Sequence, residues 1–270
     1  MNAPTVSRFL DKVVVVTGAG SGIGRASALR FAAEGAAVVA ADVRGTAAAA
    51  TVDEIVGAGG RAVVSETDVG DAAAVEAMIG LATTELGGLD VVFNNAAMTV
   101  PGTATELAVD AWDAMWRVNV TSLYLAAKHA VPIMSERGSG AIVATASVSG
   151  LAADAGQVGY AATKAGLMGL VRALAVDHAA AGIRVNCVCP GMTATPPMVR
   201  FFGDGPLMDA ANASIPAGRL ADPSEIAAVA LWLASEDSAY VNGQAVVADG
   251  GLGVESQFSR LLRMQPSPER

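Results

Sequence analysis

The chain is poor in the residues that most often do chemistry on their own. Of its 270 residues only two are cysteine and two histidine. Cys187 and Cys189 cannot supply the tetrahedral ligand set of a zinc site, so no metal is expected. They lie two apart on a strand-like run, where both side chains share a face yet are poorly placed to bridge. Both read as small buried hydrophobes. A serine hydrolase needs a Gly-x-Ser-x-Gly elbow and a histidine partner. Position 145, two before Ser147, is Thr rather than Gly, and His129 and His178 both sit within helical patterns. Charge is scarce at 16 %, and its balance of −9 argues against nucleic acid and anionic membrane surfaces as partners. No apolar run reaches the ~18 residues of a membrane span. The stretch from Met1 to Arg8 lacks the apolar core of a signal peptide. A soluble, cytoplasmic protein is the expectation.

What the chain does have is aliphatic: hydrophobic residues make up 53 % against 4 % aromatics, with Ala and Gly dominating, so its elements can pack closely. Lys12 to Thr17 carries four consecutive valines and reads as a buried parallel strand. Gly18-Ala-Gly-Ser-Gly-Ile-Gly24 follows, then a helical stretch to Glu34, then Gly35, suited to the left-handed position after a helix. A second strand, Ala36 to Ala41, ends at Asp42. Strand, glycine turn, helix, strand and acid within about thirty residues form a dinucleotide-binding unit. The glycines follow Thr17-Gly18-x-x-x-Gly22-x-Gly24 rather than G-x-G-x-x-G, but the physics is shared. Glycine lets backbone approach a pyrophosphate, and the helix N-terminus favours its charge.

The alternation continues. A helix over Thr46 to Ala58 precedes a strand over Arg61 to Glu66, and Thr67-Asp68-Val69 follows. A helix begins at Asp71, a plausible N-cap. Leu89 to Phe93 is a strand ending in Asn94-Asn95-Ala96-Ala97. Ala108 to Met134 is mostly helical, with a break or kink expected near Pro132. Asn119 lies inside it, either pointing harmlessly to solvent or holding the helix open for a function. Strand five, Ala141 to Ala146, leads to Ser147. The helix from Tyr160 ends at Gly182, and Ile183 to Val188 forms strand six. Between Thr195 and Ala217 the periodicity fades among Pro196, Pro197, Pro206 and Pro216, which suggests an irregular lid or binding loop. Asp222-Pro223-Ser224-Glu225 starts a last helix as a capping box, and Gln244 to Ala248 is a last strand. No composition shift, linker or repeat marks a second domain. The expected architecture is α/β: a three-layer Rossmann fold with a doubly wound, seven-stranded parallel sheet in the order 3-2-1-4-5-6-7. Residues 1–251 would form one domain, and 252–270 a tail.

Tyr160 and Lys164 are four apart, one turn along one helix face, and an ammonium beside a phenol favours phenolate. Ser147 ends a strand, where α/β sheets place ligand-binding groups. Asp42 can accept hydrogen bonds from both adenosine ribose hydroxyls, and its charge opposes a 2′-phosphate, so NAD is expected over NADP. Arg44 and Arg25 are the nearby positive charges that could reverse this.

In this order and spacing, Thr17-Gly18-x-x-x-Gly22-x-Gly24, Asp68-Val69, Asn94-Asn95-Ala96, Asn119, Ser147, Tyr160-x-x-x-Lys164 and Pro190-Gly191 with Thr195 resemble the short-chain dehydrogenase/reductase family. The resemblance runs from about Lys12 to Gly251. Ala97 stands where that family usually has Gly, and Ala144-Thr145-Ala146 replaces its frequent Asn-x-Ser. The resemblance implies hydride transfer between a nicotinamide and a small secondary alcohol or ketone. Tyr160 would be the general acid/base, Lys164 would lower its pKa and hold the nicotinamide ribose, and Ser147 would bind the substrate oxygen. Asn119 would position a water of a proton relay. It also implies that Gly18, Ser21, Gly22, Ile23 and Gly24 meet the pyrophosphate, and Asp68 and Val69 the adenine. Asn95 and Ala96 would lie at the adenosine ribose, with Pro190, Gly191, Met192, Thr193 and Thr195 at the nicotinamide end. Ser21 stands where NADP-binding members often carry a basic residue. A homotetramer is implied as well. Two other readings stand beside this: a non-catalytic dinucleotide sensor, and an NADPH-dependent 3-oxoacyl reductase.

Overall fold

The computed structural model describes residues 7–256, 258, 259 and 263. The valine run forms β1 (Val13–Thr17), buried throughout. Successive strand side chains point to opposite faces, so Val13 and Val15 enter one core while Val14 and Val16 enter another. The chain continues through α1 (Gly22–Ala33), β2 (Ala37–Asp42), α2 (Gly45–Gly57), β3 (Arg61–Glu66), α3 (Ala72–Thr84) and β4 (Val91–Asn94). Then come α4 (Val109–Trp116), α5 (Ser122–Arg137), β5 (Gly140–Thr145), α6 (Val158–His178) and β6 (Ile183–Pro190). Last are α7 (Pro196–Phe202), α8 (Pro206–Ser214), α9 (Pro223–Ala234) and β7 (Ala245–Ala248). All seven strands are parallel in the order β3-β2-β1-β4-β5-β6-β7, as right-handed crossovers require. The core with Val13 and Val15 is covered by α3, α5 and α6. The core with Val14 and Val16 is covered by α1, α2 and α9.

The expected caps form. Asp71 accepts from the Ala74 N–H at 2.8 Å, and Asp222 with Glu225 makes the reciprocal capping box of α9. Each such cap contributes about 1 kcal/mol. Gly35 has φ of +99° after α1.

Two expectations fail in detail. The long helix is not broken at Pro132, which lies inside α5. Pro132 is exposed, so the carbonyl it leaves without a donor faces solvent, where water can serve it. The irregularity sits earlier, as a π turn over Arg117–Thr121 that contains Asn119. The Ser122 hydroxyl donates back to the Val118 carbonyl at 2.7 Å within this wide turn. The 195–217 segment is also not irregular. Pro196 and Pro206 each occupy the first turn of a short helix, α7 and α8, where a missing N–H costs nothing. In the tail, Arg263 donates to the Ser214 carbonyl of α8 at 3.2 Å and pairs with Glu255 at 2.8 Å. Of the tail, residues 257, 260–262 and 264–270 lie outside the described residues.

Candidate active site

The sheet opens where its strand order reverses. The β1–β2 ladder runs to Thr17↔Ala41, but the β1–β4 ladder stops at Val16↔Phe93. Beyond it the Thr17 hydroxyl accepts the N–H groups of Asn95 at 2.9 Å and Ala96 at 3.0 Å. The Asn95 amide donates to the Thr17 carbonyl at 3.1 Å and accepts from the Thr145 hydroxyl at 3.0 Å.

The glycine turn lies beside this opening. Gly18 and Gly22 have φ of +67° and +53°, a region that favours glycine. A Cβ on Gly24 would lie 2.1 Å from the Gly18 carbonyl oxygen, so α1 is pressed onto the turn. Ser21 is the N-cap of α1 and makes no side-chain capping bond, which leaves the first-turn N–H groups to an external anion. Ile23 packs on the core beneath. Thr195 closes over the turn, its Cγ2 lying 3.1 Å from where a Gly22 Cβ would be. This cradle fits a dinucleotide pyrophosphate.

Asp42 is only 8 % exposed. Its carboxylate accepts from the Gly20 N–H at 3.0 Å and the Arg44 N–H at 3.0 Å. The Arg44 Nε lies 3.7 Å from it, while the Arg25 guanidinium is engaged by Glu54. Asp68 is exposed and accepts from the Gly70 N–H at 2.8 Å, while Val69 is buried in the core. At the far end Pro190 closes β6. Gly191 packs so tightly that a Cβ there would meet the Asp249 Cα at 2.8 Å. Met192 and Ala194 are tied to Ala221 by backbone hydrogen bonds of 3.0 and 2.8 Å. Thr193 is buried between them.

Ser147 follows β5 and caps a 3₁₀ turn, Val148–Gly150, by accepting from the Ser149 N–H at 3.1 Å. Tyr160 and Lys164 project from α6. Lys164 is 1 % exposed, and its Nζ donates to the Thr145 carbonyl at 2.7 Å. That ammonium lies 5.5 Å from the centre of the Tyr160 ring. Burial pushes the Lys164 pKa down to about 8. The expected lowering of the Tyr160 pKa is not the net result. Burial pushes the phenol up and the Asp154 charge adds to that, while a hydrogen bond with Ser147 pulls the other way. Asn119 is buried, which excludes the solvent-facing alternative. Its Oδ1 accepts from the Met98 N–H at 2.9 Å, and its Nδ2 donates to the Met98 carbonyl at 2.9 Å and the Thr163 hydroxyl at 3.0 Å. It therefore reaches the neighbour of Lys164 in the chain rather than Lys164 itself.

The residue pattern singled out Ser147, Tyr160, Lys164 and Asn119 but gave no role to Thr17, Thr145 or Thr163, which fix their surroundings. A hydroxyl at a strand's end is the only sequence signal that Thr17 and Thr145 carry, and Thr163 is marked only by its place beside Lys164 on α6. Both cysteines are free and buried; donation of the Cys187 thiol to Cys189, together with burial, pushes the Cys187 thiol up. Among the described residues no cluster of three or more His, Cys, Asp or Glu side chains could hold a metal ion. None of the helices searched is long and apolar enough to cross a membrane. A cavity of about 520 Å³ opens at the opposite end of the sheet, lined by Arg8, Lys12, Asp90 and Arg184. Its charges are already used: Lys12 pairs with Asp90, and Arg8 with Glu34. Strand C-terminal ends are where open α/β sheets bind ligands, and that is where the catalytic candidates gather.

A family profile described as enoyl-(acyl carrier protein) reductase matches residues 18–253. The chain is 41 % identical over 248 residues to a meso-2,3-butanediol dehydrogenase of Serratia marcescens, covering 90 % of this chain and 95 % of that one. Its fold matches a short-chain type dehydrogenase/reductase from Mycobacterium marinum with a TM-score of 0.87 and 34 % identity, over 93 % of this chain and 98 % of the other. It matches equally, with a TM-score of 0.87 and 31 % identity over the same shares, a 7α-hydroxysteroid dehydrogenase complexed with NADH and 7-oxo glycochenodeoxycholic acid.

Proposed function

The chain belongs to the short-chain dehydrogenase/reductase family, and on that footing we propose that it is an NAD-dependent dehydrogenase of small, neutral secondary alcohols. It is an oxidoreductase acting on CH–OH groups with a nicotinamide cofactor. The observation that carries the reading is the meeting of Ser147, Tyr160 and a buried Lys164 at the C-terminal end of β5, beside the glycine cradle.

When bound, the nicotinamide supplies the two-electron acceptor or donor. The proton is the chain's own business. Tyr160 Oη takes the hydroxyl proton in oxidation and returns it in reduction. Ser147 Oγ hydrogen-bonds the same oxygen, where charge develops. Lys164 holds a positive charge near the phenolate as it forms and orients the ribose. Asn119 keeps the π turn and the Met98 segment in place around that proton path, and supports a water within it. Gly18, Ser21, Gly22, Ile23 and Gly24 would hold the pyrophosphate, Asp42 the ribose, and Asp68 and Val69 the adenine. Asn95, Ala96, Pro190, Gly191, Met192, Thr193 and Thr195 would line the rest of the crevice. NAD is favoured because Asp42 presents a carboxylate there, Ser21 offers no positive charge and Arg25 is engaged by Glu54.

We take residues 1–251 as one dehydrogenase domain, with 195–217 over the site, working in the cytoplasm, where free thiols stay reduced. We also take it to be a homotetramer, because Val109, Tyr124 and Val176 expose apolar surface on α4–α6 and Val247 does so on the edge strand β7. Light scattering on the purified chain tests this, and a monomer at micromolar concentration refutes it. Nicotinamide absorbance with a panel of secondary alcohols tests the activity. Binding of the cofactor without turnover of any alcohol or ketone would favour a sensor instead.

A further inference from the structure

One charged side chain at this site has no part in the mechanism above. Just after Ser147, the Ser149 hydroxyl donates to the Asp154 carboxylate Oδ2 at 2.5 Å. Ser147 and Ser149 are themselves joined by the 3.1 Å bond from the Ser149 N–H. The far end of this loop is fixed too: the Gly102 N–H donates to the Gly156 carbonyl at 2.7 Å, and the Thr99 hydroxyl to the Gln157 Oε1 at 2.8 Å. Asp154 is therefore held from both sides, between the substrate-oxygen candidate Ser147 and the helix that carries Tyr160. Its side chain is exposed, and among the described residues neither a cation nor a second donor meets its other oxygen, Oδ1. Its charge is felt by the Tyr160 phenol, which places it within electrostatic reach of the reacting group. The segment after β6 offers apolar surface instead, with Met192, Met198, Phe202 and Met208 clustered.

A carboxylate with a free oxygen recognises hydrogen-bond donors and repels negative charge. Taking the dehydrogenase reading above as its basis, we propose that Asp154 is the specificity-determining residue of the substrate mouth. Its free oxygen receives a hydrogen bond from a second hydroxyl next to the reacting carbinol. The site accordingly takes vicinal diols and hydroxyketones and turns away hydroxy acids and other anions.

Three alcohols sharing one methyl carbinol test this: 2-butanol with no second polar group, 2,3-butanediol with a hydroxyl, and lactate with a carboxylate. Asp154→Asn keeps an oxygen for Ser149 while removing the charge, and its melting temperature should match the wild type. In the wild type, kcat/KM should rank diol above 2-butanol above lactate. In the variant the lactate to 2-butanol ratio should rise about tenfold or more, each tenfold being about 1.4 kcal/mol; the ratio is the readout because the Asp154 charge also reaches the Tyr160 phenol, an effect common to all three alcohols. Wild-type turnover of 2-butanol with a ratio that the variant leaves unmoved overturns the role of Asp154 and spares the dehydrogenase reading. No turnover of any of the three, or of any other alcohol, sinks both. Ser149→Ala frees the carboxylate without discharging it. It should keep the discrimination against lactate and weaken the preference for the diol.

Discussion

Removing the charge of Asp42 is the sharpest test of cofactor choice. In Asp42→Asn the amide oxygen can still serve one of the two N–H groups now bound, Gly20 or Arg44. The turn is then largely retained while the carboxylate is lost. Two unit charges ~4 Å apart interact by ~4 kcal/mol at an effective dielectric near 20 and by ~1 kcal/mol in bulk water. Asp42 is 8 % exposed, which puts a 2′-phosphate beside it nearer the larger figure. Arg44 offsets part of this, with its Nε 3.7 Å away on a side chain that is 65 % exposed and therefore well screened. A net penalty of roughly 1.4–2.8 kcal/mol remains, which is about 10- to 100-fold in kcat/KM. The wild type should prefer NAD over NADP by that factor, measured at saturating alcohol with each cofactor varied. The variant should use both within about threefold, the remainder of the penalty having gone with the charge. Arg25→Ala should leave the ratio alone, because that guanidinium is engaged by Glu54. Equal use of the two cofactors by the wild type, or a ratio untouched in Asp42→Asn, would refute the reasoning.

Tyr160→Phe keeps the ring and should lower turnover by about 10²–10⁴-fold, with cofactor affinity by calorimetry nearly unchanged; near wild-type turnover would remove Tyr160 from the mechanism. Lys164 has its pKa pushed from 10.5 to about 8 by burial, so between those values the folded chain has released a proton that the unfolded chain keeps. Stability then rises with pH across that window. Urea melts of wild type and Lys164→Met should show their gap shifting by about 2 kcal/mol in favour of the wild type from pH 7 to about 9.5, at about 1.4 kcal/mol per unit. A gap that stays flat contradicts the buried-charge account. Asn119→Leu strands the part-buried Met98 N–H and carbonyl that the amide now serves, and should cost about 2–6 kcal/mol of unfolding free energy, unpaired groups being worth about 1–3 each. A loss below about 0.5 kcal/mol, the scale of an ordinary surface change, would mean those groups find other partners.

The parts of the fold that sequence made plain were those where local chemistry and tertiary context agree. Val13 to Val16 can only be a strand buried on both faces, and Asp222-Pro223-Ser224-Glu225 can hardly avoid starting a helix. The failures came where one residue type has two uses. Proline reads as a breaker, yet Pro196 and Pro206 open helices and the solvent-facing Pro132 leaves α5 unbroken. The π turn at 117–121 was hinted at by Asn119, but not its extent. That depends on Met98 and Thr163, distant in the chain, saturating the amide. The spacing of Tyr160 and Lys164 brought their side chains together as expected. The direction of the phenol's shift is set chiefly by burial, which a sequence does not give. Asp154 carried no signal at all until Ser149 was seen to hold it.

The Thr17 hydroxyl has a bearing on how the crevice opens and closes in time. Because it takes over as acceptor where the β1–β4 ladder ends, the amide hydrogens of Asn95 and Ala96 belong to no ladder yet are tethered to the central strand. Their protection from solvent deuterium therefore rests on one side-chain acceptor rather than on strand pairing. One buried side chain thus fastens two amides across the switch point, so Thr17→Val should speed exchange at Asn95 and Ala96 while the β1–β2 amides stay protected.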